Sequence, residues 1–312
     1  MAQSLNLVFC GTPEFAVTTL EKLVAAAFGV ALVVTQPDRA KGRGLELVAS
    51  PVKQAAQKLS LPITQPERIK ANDEFRAQLN GLKPDGIVVV GYGRLIPQWM
   101  LDLPRLGNIN LHGSLLPRYR GAAPIQWAIA QGETVTGVTT MRLDAGLDTG
   151  DILLQKEEAI ANEDTAETLA LRLATIGADL MVETLRGLEA GSIRPRAQEH
   201  SQASLAPILQ KEDGLIEFSR SAAEIFNRMR GFQPWPGAHT RFRGKGLEIR
   251  RARPASEAIP AAELRAQADR LLVGCGQASS LELLELQLEG KKRTAARDFI
   301  HGYRPQAGEK LG

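Results

Sequence analysis

The sequence predicts an α/β fold with a doubly wound, mostly parallel sheet, followed by a small β-barrel. Two observations predict the first part and one the second. Short apolar runs alternate with helical patterns through the first 190 residues, as βαβ units require. Runs such as DGIVVVGY (85–92) are apolar at every position, the signature of strands buried on both faces. Beyond residue 207 the helices thin out and short strand-like runs follow one another. A length of 312 residues exceeds one average domain, so the expected organisation is a first domain over 1–190, a linker over 191–206 and a second domain over 207–312.

The elements follow in order. LNLVFC (5–10) is a strand ended by GTP, and Pro13 suits the first turn of a helix running to Ala26. VALVVTQ (30–36) is a second strand. PVKQAAQKL (51–59) is helical, LPIT (61–64) extended, and NDEFRAQL (72–79) opens on a good N-cap. DGIVVVGY and LGNINLH (106–112) are buried strands. GVTTMRL (137–143) and DILLQKEEAI (151–160) are two more around a Gly-rich turn. Residues 163–191 form the longest helical pattern, with Asp164 or Thr165 as cap and Gly191 beyond its end. RPRAQEHSQASLAP (194–207) loses periodicity, hence the linker. AAEIFNRMRGF (222–232) is helical. AHTRF, LEIRRA, RLLVGCG and LELLELQL are the strands of the barrel, and TAARDFIHG (294–302) closes the chain as a helix.

Composition is that of an ordinary globular protein, 44% hydrophobic and 23% charged. The net charge of +3 says little, but from residue 208 onward 18 Lys and Arg stand against 13 Asp and Glu. Cys10 and Cys275 sit in apolar strands with no Cys/His cluster, so they read as inert core thiols and no metal site is expected. The opening MAQSLNLVFCGTPEF has no secretory pattern and no window reaches the length of a membrane span, so the expected protein is cytoplasmic, without membrane association, and a monomer.

The chemistry concentrates in INLHGSLLPRYRGAAPIQWA (109–128). Strand alternation puts Asn110 and His112 on one face, and Gly113 and Ser114 stop the strand directly after them. Ligands of open α/β sheets bind beyond the carboxyl ends of strands, where His112 lies. LDAGLDTGDIL (143–153) supplies Asp144, Asp148 and Asp151. Two of these fit Asx-type turn chemistry, and one of the three can face His112. Asn, His and Asp provide a neutral oxyanion donor, a proton carrier and its orienter, which fits acyl transfer without a covalent enzyme intermediate. Ser114 lacks a nucleophile elbow, and GTPEF lacks the glycine pattern and lysine of a phosphate loop.

INLHGSLLPRYRGAAPIQ, with GTPEFA, TQPDRAKGRG, SPVK and LDAGLDTGDIL, resembles the methionyl-tRNA formyltransferases. The likeness runs through the first domain and continues more weakly into APILQKEDGLIEF and GFQPWPGAHTRF. It implies a formyltransferase catalytic domain, a linker and an OB-like C-terminal tRNA-binding domain. It also implies transfer of formyl from 10-formyltetrahydrofolate, a co-substrate, to the α-amine of methionyl initiator tRNA. Carried over by motif, Asn110, His112 and Asp148 are catalytic, and Ser114, Leu115, Leu116 and Pro117 hold the folate. Arg39, Lys41 and Arg43, in a loop that otherwise reads as a solvated turn, meet the tRNA acceptor end. RMR (228–230), RFRGK (241–245), RRAR (250–253) and KKR (291–293) become candidates for phosphate contact, and the aromatics of GFQPWPGA read as packing. Two rivals share the first domain's motifs: a folate-dependent formyltransferase acting on a small amine such as an amino sugar, and a non-catalytic RNA-binding protein. The 35–44 loop and the second domain discriminate against the first, the intact Asn110, His112 and Asp148 against the second.

Overall fold

The computed structural model describes residues 5–41, 46–306 and 308–312. They form two compact units. The first comprises 1–124, 135–159 and 170–207, the second 125–134, 160–169 and 208–312.

Through the first part of the chain the elements are β1 (Asn6–Gly11), α1 (Glu14–Ala25), β2 (Gly29–Val34), β3 (Arg39–Lys41), β4 (Glu46–Val48), α2 (Pro51–Lys58), β5 (Ile63–Thr64) and α3 (Asp73–Leu82). Then come β6 (Gly86–Val90), α4 (Gln98–Leu101), β7 (Asn108–His112), α5 (Pro124–Ala130), β8 (Val135–Arg142), β9 (Ile152–Ala159) and α6 (Ala166–Glu189). The sheet order is β5-β2-β1-β6-β7-β8-β9. Pairing is parallel from β5 to β7 and antiparallel across β7–β8 and β8–β9. The helix starts follow local chemistry. Ser50 Oγ accepts from Lys53 N with Pro51 in the first turn, and Asn72 Oδ1 accepts from Phe75 N at 2.9 Å. The central strands β6 and β7 are buried at every position, β6 as its unbroken apolar run requires and β7 with Asn108, Asn110 and His112 among its buried residues. Cys10 lies in the core beside Tyr92, and burial pushes its thiol up, out of the reactive range.

Two features position β7. Gly177 of α6 faces Leu111: a Cβ there would lie 2.7 Å from Leu111 Cδ2, so the helix seats directly on that strand. Asn108, Asn110 and His112 therefore occupy the opposite face, and α4 covers its lower end, where Asn108 Nδ2 donates to Met100 O and Leu101 O. Register matters as well. His112 pairs with Thr139 and Ile109 with Arg142, so β8 runs out at the end of β7 away from the imidazole.

In the second unit α7 (Ala222–Gly231) is followed by β10 (His239–Phe242), β11 (Lys245–Ala255), β12 (Leu264–Gln267), β13 (Arg270–Cys275), β14 (Ser279–Leu288), β15 (Thr294–Ala295) and α8 (Ala296–Tyr303). The antiparallel order is β10-β11-β14-β13-β12, with β15 paired to β14. The last residues link the two edges of this sheet: Leu264 N donates to Glu309 O, and Gly312 N to Arg241 O. Leu247, Ile249, Leu271, Val273, Leu281, Leu283 and Phe299 fill its core. Burial pushes the Cys275 thiol up to about 11.

Three departures from the sequence reading have local causes. The 35–44 stretch, expected as a loop, enters a short hairpin in which Arg39 pairs with Val48. PIQWAIA is a helix that its short length hid from periodicity. The polar segment 191–206 is not a free linker. It belongs to the first unit, tied in by Ile152 N to Arg196 O, Arg120 N to Ser204 O and Ala206 N to Arg120 O.

Candidate active site

His112 is 5% exposed and its two ring nitrogens face different partners. Nε2 lies 2.8 Å from Tyr119 O. A carbonyl oxygen only accepts, so Nε2 holds the proton of that bond and Nδ1 is left facing outward. Nδ1 lies 3.7 Å from Asp148 Oδ2. Of the three carboxylates in the turn, Asp148 is thus the one that meets the imidazole. Asp144 does the turn work, accepting from Gly146 N and Thr149 Oγ1. Asp151 O accepts from Arg142 N, which closes the base of the turn. Asn110 is 8% exposed, and its amide has no hydrogen-bond partner among the described residues. A buried amide so placed keeps its N–H donors for something that enters the site.

Asp148 is held by neutral groups. Its Oδ2 accepts from Gly121 N at 2.9 Å, and its backbone is in the left-handed region, φ 51°. For a residue with a side chain that conformation costs about 1–3 kcal/mol and persists only where the surroundings enforce it. Gln198, 6% exposed, bonds this turn: its Nε2 donates to Asp148 O at 2.9 Å and to Gly150 O at 2.7 Å. Sequence reasoning missed Gln198 because it lies in an aperiodic polar segment with no motif around it.

SLLP divides in two. Ser114 is fully buried and gives its hydroxyl to Arg118 O, and Leu116 packs with Met141 and Ile152 in a small core. Both of these side chains are engaged within the protein. Leu115 and Pro117 are half-buried. Thr139 and Gln155 fix the loop's backbone. Leu116 N donates to Thr139 Oγ1, Thr139 Oγ1 donates to Ser114 O, and Gln155 Nε2 donates to Leu116 O.

Of the basic residues 39, 41 and 43, Arg39 is exposed on β3. Arg43 and the Lys41 side chain lie outside the described residues. The base of the segment is braced: Asp38 accepts from Lys53 and Gln65, which hold its carboxyl below the usual carboxylate range. In the second unit Arg230 is buried and Arg228 half-buried. Arg228 stacks over Phe232, and Arg230 donates to Ala161 O and Asp164 O. Phe232 is buried edge-on to Trp127 at 5.2 Å, as packing demands, while Trp235 is half exposed.

A formyl transferase family model matches residues 5–185, and a formyl transferase C-terminal domain model matches 208–304. The chain belongs to the formyl transferase family. This formyl transferase is 66% identical over 306 residues to a methionyl-tRNA formyltransferase of Koribacter versatilis, covering 98% of each chain. It is 60% identical over 311 residues to one of Acidobacterium capsulatum, covering 99% of this chain and all of that one. Among solved structures, an N-formyltransferase of Helicobacter canadensis, in complex with folinic acid and dTDP-3-aminofucose, matches with TM-score 0.68 at 19% identity. That match covers 89% of this chain and 98% of the other, and it shows the shared fold. Among the described residues no helix is long and apolar enough to cross a membrane.

Proposed function

We infer that the protein transfers the formyl group of 10-formyltetrahydrofolate to the α-amine of methionyl initiator tRNA. The observation that supports this most directly is the His112–Asp148 pair beside the unpartnered Asn110 amide, in a chain similar over its whole length to methionyl-tRNA formyltransferases. The amino-sugar reading has the weaker support, a likeness of fold at 19% identity.

The residue roles follow from chemistry. The amine attacks the formyl carbon, and the formyl oxygen becomes an oxyanion. Asn110 Nδ2 donates to that oxygen, and a donor so placed contributes roughly 3 kcal/mol. Protonated His112 presents its Nδ1–H to the same oxygen, Nε2 being committed to Tyr119 O. The bond from carbon to the folate N10 then breaks, its electron pair stays on N10, and N10 takes a proton from His112. Asp148, facing the imidazole, accepts the proton released by the amine, through water. Folate contact from SLLP falls to Pro117, Leu115 and the loop backbone. Arg39, Lys41 and Arg43 meet the acceptor end of the tRNA, and the protein acts in the cytoplasm as a monomer. The organisation is a catalytic domain, 1–190, to which the 191–206 segment is joined, and a tRNA-binding domain, 207–312.

The test is formyl transfer from 10-formyltetrahydrofolate to charged initiator methionyl-tRNA, with uncharged tRNA and an amino-sugar nucleotide alongside. Formylation of the charged tRNA alone is expected. Formylation of the sugar nucleotide alone replaces this reading with its rival.

A further inference from the structure

The segment 196–206 braces both sides of the His112–Asp148 pair, although no catalytic motif lies in it. Register explains why such help is needed. The turn 143–151 leaves β8 beside Asn108, since Leu143 N donates to Asn108 O, and Ile109 rather than His112 is opposite Arg142. Three residues of strand, about 10 Å, separate that point from His112. The turn must fold back over the face of β7 to bring Asp148 to the imidazole, and it does so with Asp148 in the left-handed region.

Two residues of 196–206 meet this demand. Ser204 secures the loop after β7: its Oγ accepts from Tyr119 N at 2.9 Å and its O accepts from Arg120 N at 2.8 Å. That loop supplies Tyr119 O to His112 Nε2 and Gly121 N to Asp148 Oδ2. Gln198 secures the turn through Asp148 O and Gly150 O. Its orientation is itself fixed. Arg120 donates Nε at 3.1 Å and Nη2 at 2.6 Å to Gln198 Oε1. A guanidinium has no acceptor, so the amide oxygen must face Arg120 and both N–H donors must face the turn. The Arg120 fork also reaches His200 Nδ1 at 3.1 Å.

We propose that Gln198, oriented by Arg120, is a positioning residue for Asp148: it holds the turn folded over β7 so that the carboxylate stays on the reacting imidazole. The proposal rests on the formyl-transfer reading and adds to it a residue outside every motif of the reacting site. Gln198 acts on rate through Asp148 and touches neither substrate.

The experiment measures kcat and both KM values of the full-length protein, for 10-formyltetrahydrofolate and for initiator methionyl-tRNA, with the thermal midpoint of each variant. Gln198→Met keeps length and neutrality and removes both donors. Its expected effect is a fall in kcat of about tenfold or more, since small displacements of a reacting group are costly, with both KM values within about twofold of wild type. The decisive arm is the double variant. In an Asp148→Asn background, the Gln198→Met loss is expected to vanish, because the residue it positions has already been removed. An equal loss in both backgrounds overturns the proposal, as does unchanged kcat in the single variant. If Gln198→Met does not fold, Arg120→Lys, which keeps the charge and removes the fork, is read by the same cycle with the same two overturning outcomes. Failure of the wild-type chain to formylate charged tRNA overturns the formyl-transfer reading and this proposal with it. Wild-type transfer with unaffected variants overturns the proposal alone.

Discussion

Asp148 in the first unit and Glu282 in the second are held in two different ways. At the turn of the first unit, Asp148 rests on a backbone amide, and its peptide rests on the neutral amide of Gln198. On the sheet of the second unit, Glu282 is held by Arg253 and Arg270, Glu257 by Arg270, and Glu309 by Arg243. An arginine beside a carboxylate uses up its field. Neutral donors fix its position and leave the charge to act on a neighbour, here the imidazole of His112. Asp148 faces an imidazole, whereas Asp144 on neutral donors and Glu282 on arginines both serve structure, and such pairing explains why the basic bias of the second unit is smaller in practice than in composition.

The largest effect is expected from a carboxylate with neither kind of support. Leu116→Asp puts one in the core beside Met141 and Ile152, at a cost of several kcal/mol, a large part of the stability of a domain. Loss of the cooperative unfolding transition is the expected readout. A folded variant with a normal midpoint would show that Leu116 faces an open cleft.

Asn110→Ala, His112→Ala and Asp148→Asn should each lower kcat by about a hundredfold or more with thermal midpoints near wild type. Near-normal turnover in His112→Ala would end the proposed mechanism. Such a result for Asp148→Asn would remove the distinction between the two kinds of carboxylate.

Much of this site was legible in the sequence, for physical reasons. Strand alternation placed Asn110 and His112 on one face, and glycine and proline marked the end of β7. The turn composition narrowed the acid to three candidates, the family resemblance pointed to Asp148, and the fold-back over β7 is what brings that carboxylate to the imidazole. Gln198 was illegible because side chain-to-backbone bonds impose no periodicity, and a polar aperiodic stretch reads as a linker whether or not its amides are used. Arg228 and Arg230 show the converse: a basic run looks like a surface until the partners of each guanidinium are known.

The basic residues of the second unit sharpen the comparison through salt. Lys291 and Lys292 are exposed and take part in no ion pair among the described residues. If they meet phosphate, replacing both by Ala should reduce the salt slope of tRNA binding by about one unit for each phosphate no longer neutralised. Arg253→Ala, whose charge is engaged by Glu282, should leave that slope unchanged. Equal slopes in all three proteins would move the RNA interface elsewhere.

The smallest effect concerns pH. Hydrogen bonds from Arg270, and then Arg253, hold the Glu282 carboxyl below the usual carboxylate range. A carboxyl lowered on folding contributes stability at neutral pH that is lost as pH falls through its folded-state value. Glu282→Gln should therefore lower the midpoint of the second unit by a few degrees at pH 7 and converge with wild type in acid. Divergence in acid would reverse the sign of the argument.

Gly121 gives the site a clock of its own. Its N–H ends on the Asp148 carboxylate, and a side chain at this position would collide with Ala206 O, 2.6 Å from the added Cβ. The bond exists only while the turn is closed over β7. Deuterium uptake at this one amide therefore follows the opening of the turn, as exchange follows any local unfolding. A single peptide proton thus reports, in the resting protein and before any substrate is added, what fraction of time the acid stands ready.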